Sequence, residues 1–119
     1  MKISENIAHA VYRELFIEML AQYKKNLDNK IDEYKESSFC KVKNIFSKLD
    51  KEEKLNFLNF IKLVMADSVS TIFGVLDGTT FIEGLDEDFI VSYGGAEVQG
   101  YLQDYFIQKI EEEGGLNYR

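Results

Sequence analysis

The sequence predicts an α+β fold that is mostly α, with three or four helices around a central apolar helix and a β-hairpin before a C-terminal helix. Three observations carry that reading. Residues 51–76, KEEKLNFLNFIKLVMADSVSTIFGVL, are the most apolar long segment and repeat apolar residues at helical spacing. Proline is absent, which suits long uninterrupted helices. After Asp77-Gly78 the pattern changes to short runs rich in β-branched and aromatic residues.

The first helical stretch runs from about Ser4 to Lys35, with Ile7, Val11, Leu15, Met19, Tyr23, Leu27, Ile31 and Tyr34 in register. Strict steps of four drift by about 40° each around an α-helix, so this stripe winds unless Tyr12, Phe16 and Leu20 share the contact. The pattern allows one long bent helix, or two with a break near Asn26 to Asn29, where Asn and Asp weaken helix propensity. Ser37 and Ser38 offer a cap for a further helix over Phe39 to Leu49, with Phe39, Val42, Ile45, Phe46 and Leu49 on one stripe.

For the central helix, Asp50 followed by Glu53 forms a capping-box pattern, each side chain matched to the other's amide. Phe57, Ile61, Val64, Met65, Ile72 and Val75, with Leu58, Val69 and Leu76 beside them, define the expected core seam. Phe60 and Leu63 point away from that seam and Phe73 lies on its far margin. Asp77-Gly78 supplies the stop, because glycine accepts the positive φ that other residues resist.

Thr79 to Ile82 and Asp88 to Tyr93 then read as the two strands of a hairpin, joined by Glu83 to Glu87 and closed by Gly94-Gly95. A last helix from about Ala96 to Glu113 carries Val98, Leu102, Tyr105, Phe106 and Ile110, and stops at Gly114-Gly115. Two strands alone are marginal in water, so the hairpin must lie on a helix or pair with another chain.

One domain, residues 1–119, fits this length, at which roughly two thirds of the unfolded surface is buried. The central helix is interrupted by Asn59, Lys62, Asp67 and Ser68, so the sequence points away from a bilayer span. Its N-terminus carries charges where a secretory signal is apolar. A single cysteine, Cys40, excludes an internal disulfide, and a cytoplasmic setting is expected.

Charge is the most informative total. Residues 1–76 carry a net +1, whereas residues 77–119 carry −8. Such a segment repels nucleic acid and anionic lipid, and it favours a basic partner or a cation.

No catalytic motif or cofactor site emerges, and none is expected. His9 has Glu5 and Arg13 one turn away on either side, and it is expected to be a surface or half-buried histidine rather than a general base. Cys40 is read as a packing residue, and Asp67 as a carboxylate paired on the flank of the central helix. The acidic run Asp86-Glu87-Asp88, with Asp77 and Glu83, lacks the alternating spacing of a calcium loop and reads as a solvated, edge-protecting loop. Tyr93, Tyr101, Tyr105 and Tyr118 accompany it, and tyrosine among carboxylates suits an Arg- or Lys-rich surface. Tyr105, and with it Tyr93, also has a claim on the core. The candidate partner-binding residues are Asp77, Glu83, Asp86, Glu87, Asp88, Tyr93, Tyr101 and Asp104.

The stretch VMADSVSTIFGVLDG, Val64 to Gly78, a short hairpin, and VQGYLQDYF, Val98 to Phe106, together resemble small acidic bacterial immunity proteins of polymorphic or contact-dependent toxin systems. The resemblance covers the latter half of the chain. It implies a non-enzymatic inhibitor that covers a toxin's active site or an essential exosite, and it transfers no individual binding residue.

The expected function is therefore an acidic protein-binding module of the immunity type, facing a basic protein partner such as a toxin, with no nucleic acid and no membrane. The alternatives are a structural homo-oligomer, a small-ligand-binding protein, or a small enzyme using carboxylates. A homodimer would use Phe60, Leu63 and Phe73, or pair the hairpin edges.

Overall fold

A computed structural model describes residues 2–29 and 37–115. The architecture is mostly helical, with one small antiparallel hairpin before the last helix. Helix α1 (Ile3–Tyr12) passes without interruption into a π-helical segment (Arg13–Met19) and then α2 (Leu20–Asp28). The residues flanking the π segment, Tyr12 and Leu20, keep right-handed helical angles. This is the winding stripe resolved: a wider, i to i+5 turn takes in extra residues and shifts the apolar face, so that Ala8, Leu20 and Leu27 are buried while Met19 and Tyr23 are exposed. The helix ends where its Asn-rich break was expected, with extended backbone at Asn29. Whether a second helix follows falls on residues 30–36, outside the described ones.

Helix α3 (Ser38–Ser47) is capped by Ser37, whose hydroxyl accepts from the Cys40 amide at 3.2 Å. Helix α4 (Lys51–Asp77) opens on the expected capping box: Asp50 Oδ1 accepts from the Glu53 amide at 2.8 Å, and Glu53 Oε1 from the Asp50 amide at 2.9 Å. It closes on Gly78 at φ 80°, a left-handed conformation that glycine adopts without a Cβ penalty.

Two apolar clusters sit on this one helix. The first joins Ala8, Phe73, Leu102 and Phe106, with Phe16, Val69, Leu76 and Ile110 packed around them. The second joins Leu27, Phe46 and Leu58, flanked by Leu49, Phe57 and Ile61. The chain is accordingly long for its mass: its radius of gyration is 17.4 Å, against roughly 13.5 Å for a compact domain of this length.

The expected core seam of α4 is rotated. Leu58, Ala66, Phe73 and Gly74 are buried, whereas Val64 and Ile72 are 48% and 59% exposed. Phe73, expected on the margin and available to a partner, instead stacks edge-on against Phe106, with ring centroids 5.5 Å apart. Apolarity alone located the richest face, but α1 and α5 settle on its neighbour, because the end of α4 is tied to the start of α5 by polar contacts described below.

The hairpin also lies elsewhere than expected. Its strands are β1 (Ser92–Tyr93) and β2 (Ala96–Glu97), with Ser92 opposite Glu97 and Tyr93 opposite Ala96. Gly94 and Gly95 form the turn between them rather than its close; both have positive φ, as a two-residue hairpin turn demands. Residues 79–91 form no strand: their β-branched and aromatic composition finds no neighbouring strand to pair with. Helix α5 (Leu102–Glu112) starts six residues later than expected and ends at Gly114-Gly115, where the Gly115 amide donates to the Ile110 carbonyl at 2.8 Å.

Candidate functional site: the acidic loop 79–91 and its frame

The loop is held at both ends. At its start, the amides of Thr79 and Thr80 both donate to the Gly74 carbonyl, at 2.9 and 3.0 Å, folding the chain back against the last turn of α4. At its end, the Val91 amide donates to Gln99 Oε1 at 2.9 Å, and the Val91 carbonyl accepts from the Val98 amide at 2.9 Å. Within it, the Leu85 amide donates to the Ile82 carbonyl at 3.1 Å across a turn with Gly84 at φ 94°. That positive φ at the third turn position is the geometry glycine supplies.

The frame beneath the loop depends on Asp77. Its Oδ1 accepts from the amides of Gly100 (2.7 Å) and Leu102 (3.2 Å), and its Oδ2 from the amide of Gln103 (2.8 Å). Tyr101, in the N-cap position of α5, offers no side-chain cap. Asp77 therefore caps α5 from another helix and sets a carboxylate at the positive end of its dipole. Gln103 completes the clasp, donating from Nε2 to the Ser70 carbonyl at 2.9 Å and accepting from Thr79 Oγ1 at 3.2 Å. Asp77, placed among the partner-binding residues by sequence, thus has its oxygens occupied by backbone amides. The signal for this role was a helix start at Leu102 with no acceptor of its own.

Every residue from Phe81 to Ile90 is exposed. Glu83, Asp86, Glu87 and Asp88 come together with Phe81, Ile82, Leu85, Phe89 and Val75 around a concavity of about 410 Å³. Phe81 is 89% exposed, an unusual position for a large aromatic ring. Tyr93, Tyr101 and Asp104 are also exposed but do not line this concavity, while Tyr105 is half-buried against the first cluster.

The remaining candidates have modest settings. His9 and Cys40 are half-buried. Asp67 is exposed, and its carbonyl accepts from Thr71 Oγ1 at 2.7 Å. Among the described residues no group of three or more His, Cys, Asp or Glu is placed to hold a metal ion. A second concavity, of about 660 Å³, lies over the other cluster and is lined by Phe46, Leu55 and Leu58 with Lys24, Lys51 and Lys54 at its edge. By length and composition alone α4 would suffice to cross a bilayer, its interrupting polar residues notwithstanding, and 22% of its most apolar stretch is buried.

At the far end of α5, Lys109 Nζ pairs with Glu113 Oε1 at 2.8 Å and lies 5.9 Å from the Tyr12 ring centre. Partial burial, helped by the Glu113 carboxylate and opposed by Lys109, pushes the Tyr12 phenol above its ordinary value. The hydrogen bond to Glu113 raises the Lys109 ammonium in turn.

No protein family model, curated protein or solved structure matches the chain.

Proposed function

We propose that this chain is an acidic protein-binding module of the immunity type, a cytoplasmic inhibitor that binds a basic toxin through the loop 79–91. The observation that carries the reading is the loop itself: an exposed stretch in which four carboxylates surround a concavity with apolar walls, fastened at both ends to the rest of the fold. The carboxylates steer a cationic surface toward the loop. Phe81 and its apolar neighbours then lose water against the partner, where a few buried aromatic anchors supply most of the binding energy. Because the loop ends are already fixed, little ordering cost remains at association. The resemblance of the latter half to immunity proteins agrees with this role, and Tyr93, Tyr101 and Asp104 extend the acidic, tyrosine-bearing surface beyond the concavity.

Affinity capture from lysate of the source cell tests this, using the tagged chain washed at low salt and again near ~1 M, where the Debye length is only about 3 Å. A parallel capture uses Asp86→Asn, Glu87→Gln, Asp88→Asn in one chain. One basic protein, retained at low salt by the wild type and depleted by the variant, is the expected result. Equal recovery by both chains, or none by a folded wild type, removes the loop from the proposal.

A further inference from the structure

The backbone leading into β1 reaches further than the strand that pairs with it. Residues 88–91 run into Ser92–Tyr93 without a turn or bend. β2 covers only the end of this run. The pairing extends to Val91, whose carbonyl accepts from the Val98 amide at 2.9 Å, and there the Gln99 side chain takes the Val91 amide in place of a further ladder bond. The chain then turns away at Gln99-Gly100, so Asp88, Phe89 and Ile90 overhang.

Ladder geometry says which groups the overhang leaves open. In an antiparallel pair a residue directs both its N–H and its C=O to one side, and its neighbours in sequence direct theirs to the other. Val91 faces β2, so Ile90 and Ser92 face the outer edge. Among the described residues Ile90 makes no backbone hydrogen bond, and its side chain is 72% exposed. Asp88-Phe89-Ile90-Val91-Ser92-Tyr93 thus has the composition of a strand and a free side along which another could lie.

Such an edge is completed by an extended peptide, whose main-chain bonds supply affinity and whose alternate side chains supply specificity. Two features select the peptide. Phe89 lines the concavity of about 410 Å³ together with Glu83, Asp86, Glu87 and Asp88, so every second side chain of an added strand falls on the face of that carboxylate-walled space. Residues 79–100 carry five carboxylates and no basic residue. A second copy laid along the edge would set these carboxylates against their own kind, whereas a strand bearing Lys or Arg pairs with them.

We propose that residues 88–93 accept an added antiparallel β-strand from the basic partner, paired at Ile90 and Ser92, with a Lys or Arg side chain of that strand in the concavity. This rests on the loop 79–91 being the contact surface, and it adds the form of what is contacted: an extended segment.

The probe is a short peptide alternating Lys and Val, labelled with a fluorophore and read by anisotropy at low salt. Residues opposite each other in an antiparallel pair share a face, so the peptide residues bonded to Ile90 and Ser92 lie away from the concavity and are the valines, while the lysines face it. N-methylation of the valines should therefore weaken binding by about tenfold, and N-methylation of the lysines, at equal charge, should leave it unchanged. On the protein side, Ile90→Pro removes the edge amide and should cost about as much, whereas Ile90→Ala keeps the amide and should bind within about threefold of the wild type. Both should fold with unchanged circular dichroism, since Ile90 is exposed and unbonded. Equal binding of the two methylated peptides, or the reverse order, overturns the added strand. If Asp86→Asn, Glu87→Gln, Asp88→Asn in one chain abolishes that binding all the same, the acidic loop stands as a contact without a strand. No binding of any peptide by the folded chain also overturns the strand, and the capture experiment above then decides the loop's role alone. A wild type that dimerises in sedimentation while Ile90→Pro stays monomeric gives the edge to a second copy and overturns it too.

Discussion

Asp77 and Gln103 lie 26 positions apart, yet the carboxylate of the first accepts a 2.8 Å hydrogen bond from the amide of the second. With the Gly100 and Leu102 amides on its other oxygen, Asp77 joins the end of α4 to the start of α5. Asp77→Ala leaves three amides without their acceptor, and a loss of about 2–3 kcal/mol is expected from denaturant unfolding. Asp77→Asn keeps one acceptor oxygen and should lose roughly half as much. A wild-type midpoint in Asp77→Ala would show that the clasp contributes nothing.

Gly74 sits where the clasp leaves no room. A Cβ there would collide with Thr80 Oγ1 and come within 2.7 Å of Gln103 Nε2. Alanine is favoured over glycine inside a helix by about 1 kcal/mol, so helix propensity and packing oppose each other at this position. Packing should prevail, because Gln103 is pinned by Ser70 and Thr79. Gly74→Ala is expected to lower stability by about 1–2 kcal/mol, and an increase in its urea midpoint would reverse that ordering.

Two phenylalanines separate core from surface. Phe106 is fully buried between Phe73 and Phe16, with ring centroids 5.5 and 6.2 Å away. Phe106→Ala should cost about 3–5 kcal/mol. Phe81 lies open on the loop, and Phe81→Ala should change stability by less than about 0.5 kcal/mol. Thermal melts of the two variants side by side make the comparison.

Alkaline pH should loosen the α1–α5 contact. The Tyr12 phenol is raised above 10.0, chiefly by burial, so the folded state holds its proton to higher pH than the unfolded chain does. That contribution is complete below pH 10 and is lost as pH rises through the folded value. Lys109, raised above 10.5 mainly by its bond to Glu113, declines in the same direction. Unfolding midpoints taken from pH 9 to 12 should fall less steeply in Tyr12→Phe than in the wild type. Parallel slopes would place the alkaline loss elsewhere.

The sequence disclosed what is decided locally. The capping box at Asp50 and Glu53, the Ser37 cap, the Gly78 stop and the break after Asp28 all depend on residues within one or two turns of each other. The rotation of α4 was not legible, since it follows from which neighbours arrive, and those neighbours are held by Asp77 and Gln103 across more than 20 residues of chain. The hairpin was misplaced for a related reason. Thr79 to Ile82 has strand composition, but a strand also needs a partner in register, and among the described residues only Ser92–Tyr93 and Ala96–Glu97 have one. Of the candidate site, Glu83, Asp86, Glu87 and Asp88 are gathered as a group, because neighbours in sequence on one short loop cannot be far apart. Asp77 belongs to the same acidic set by sequence, but the amides it caps lie 23, 25 and 26 residues further on, a distance at which sequence alone places no partner.

The first cluster draws together α1 and α5, elements separated by almost the whole described chain. The Leu102 and Phe106 side chains that enclose Ala8 are made some ninety residues after it. At ribosomal speeds of about 5–20 residues per second, that interval is roughly 5 to 20 seconds. Until then Phe73 and the apolar side of α1 stand in water, while the second cluster, drawn from Leu27 to Ile61, is already free to close. The newborn chain thus passes through a half-built stage with a greasy N-terminal helix on display, and that stage is where a holding chaperone would find its grip.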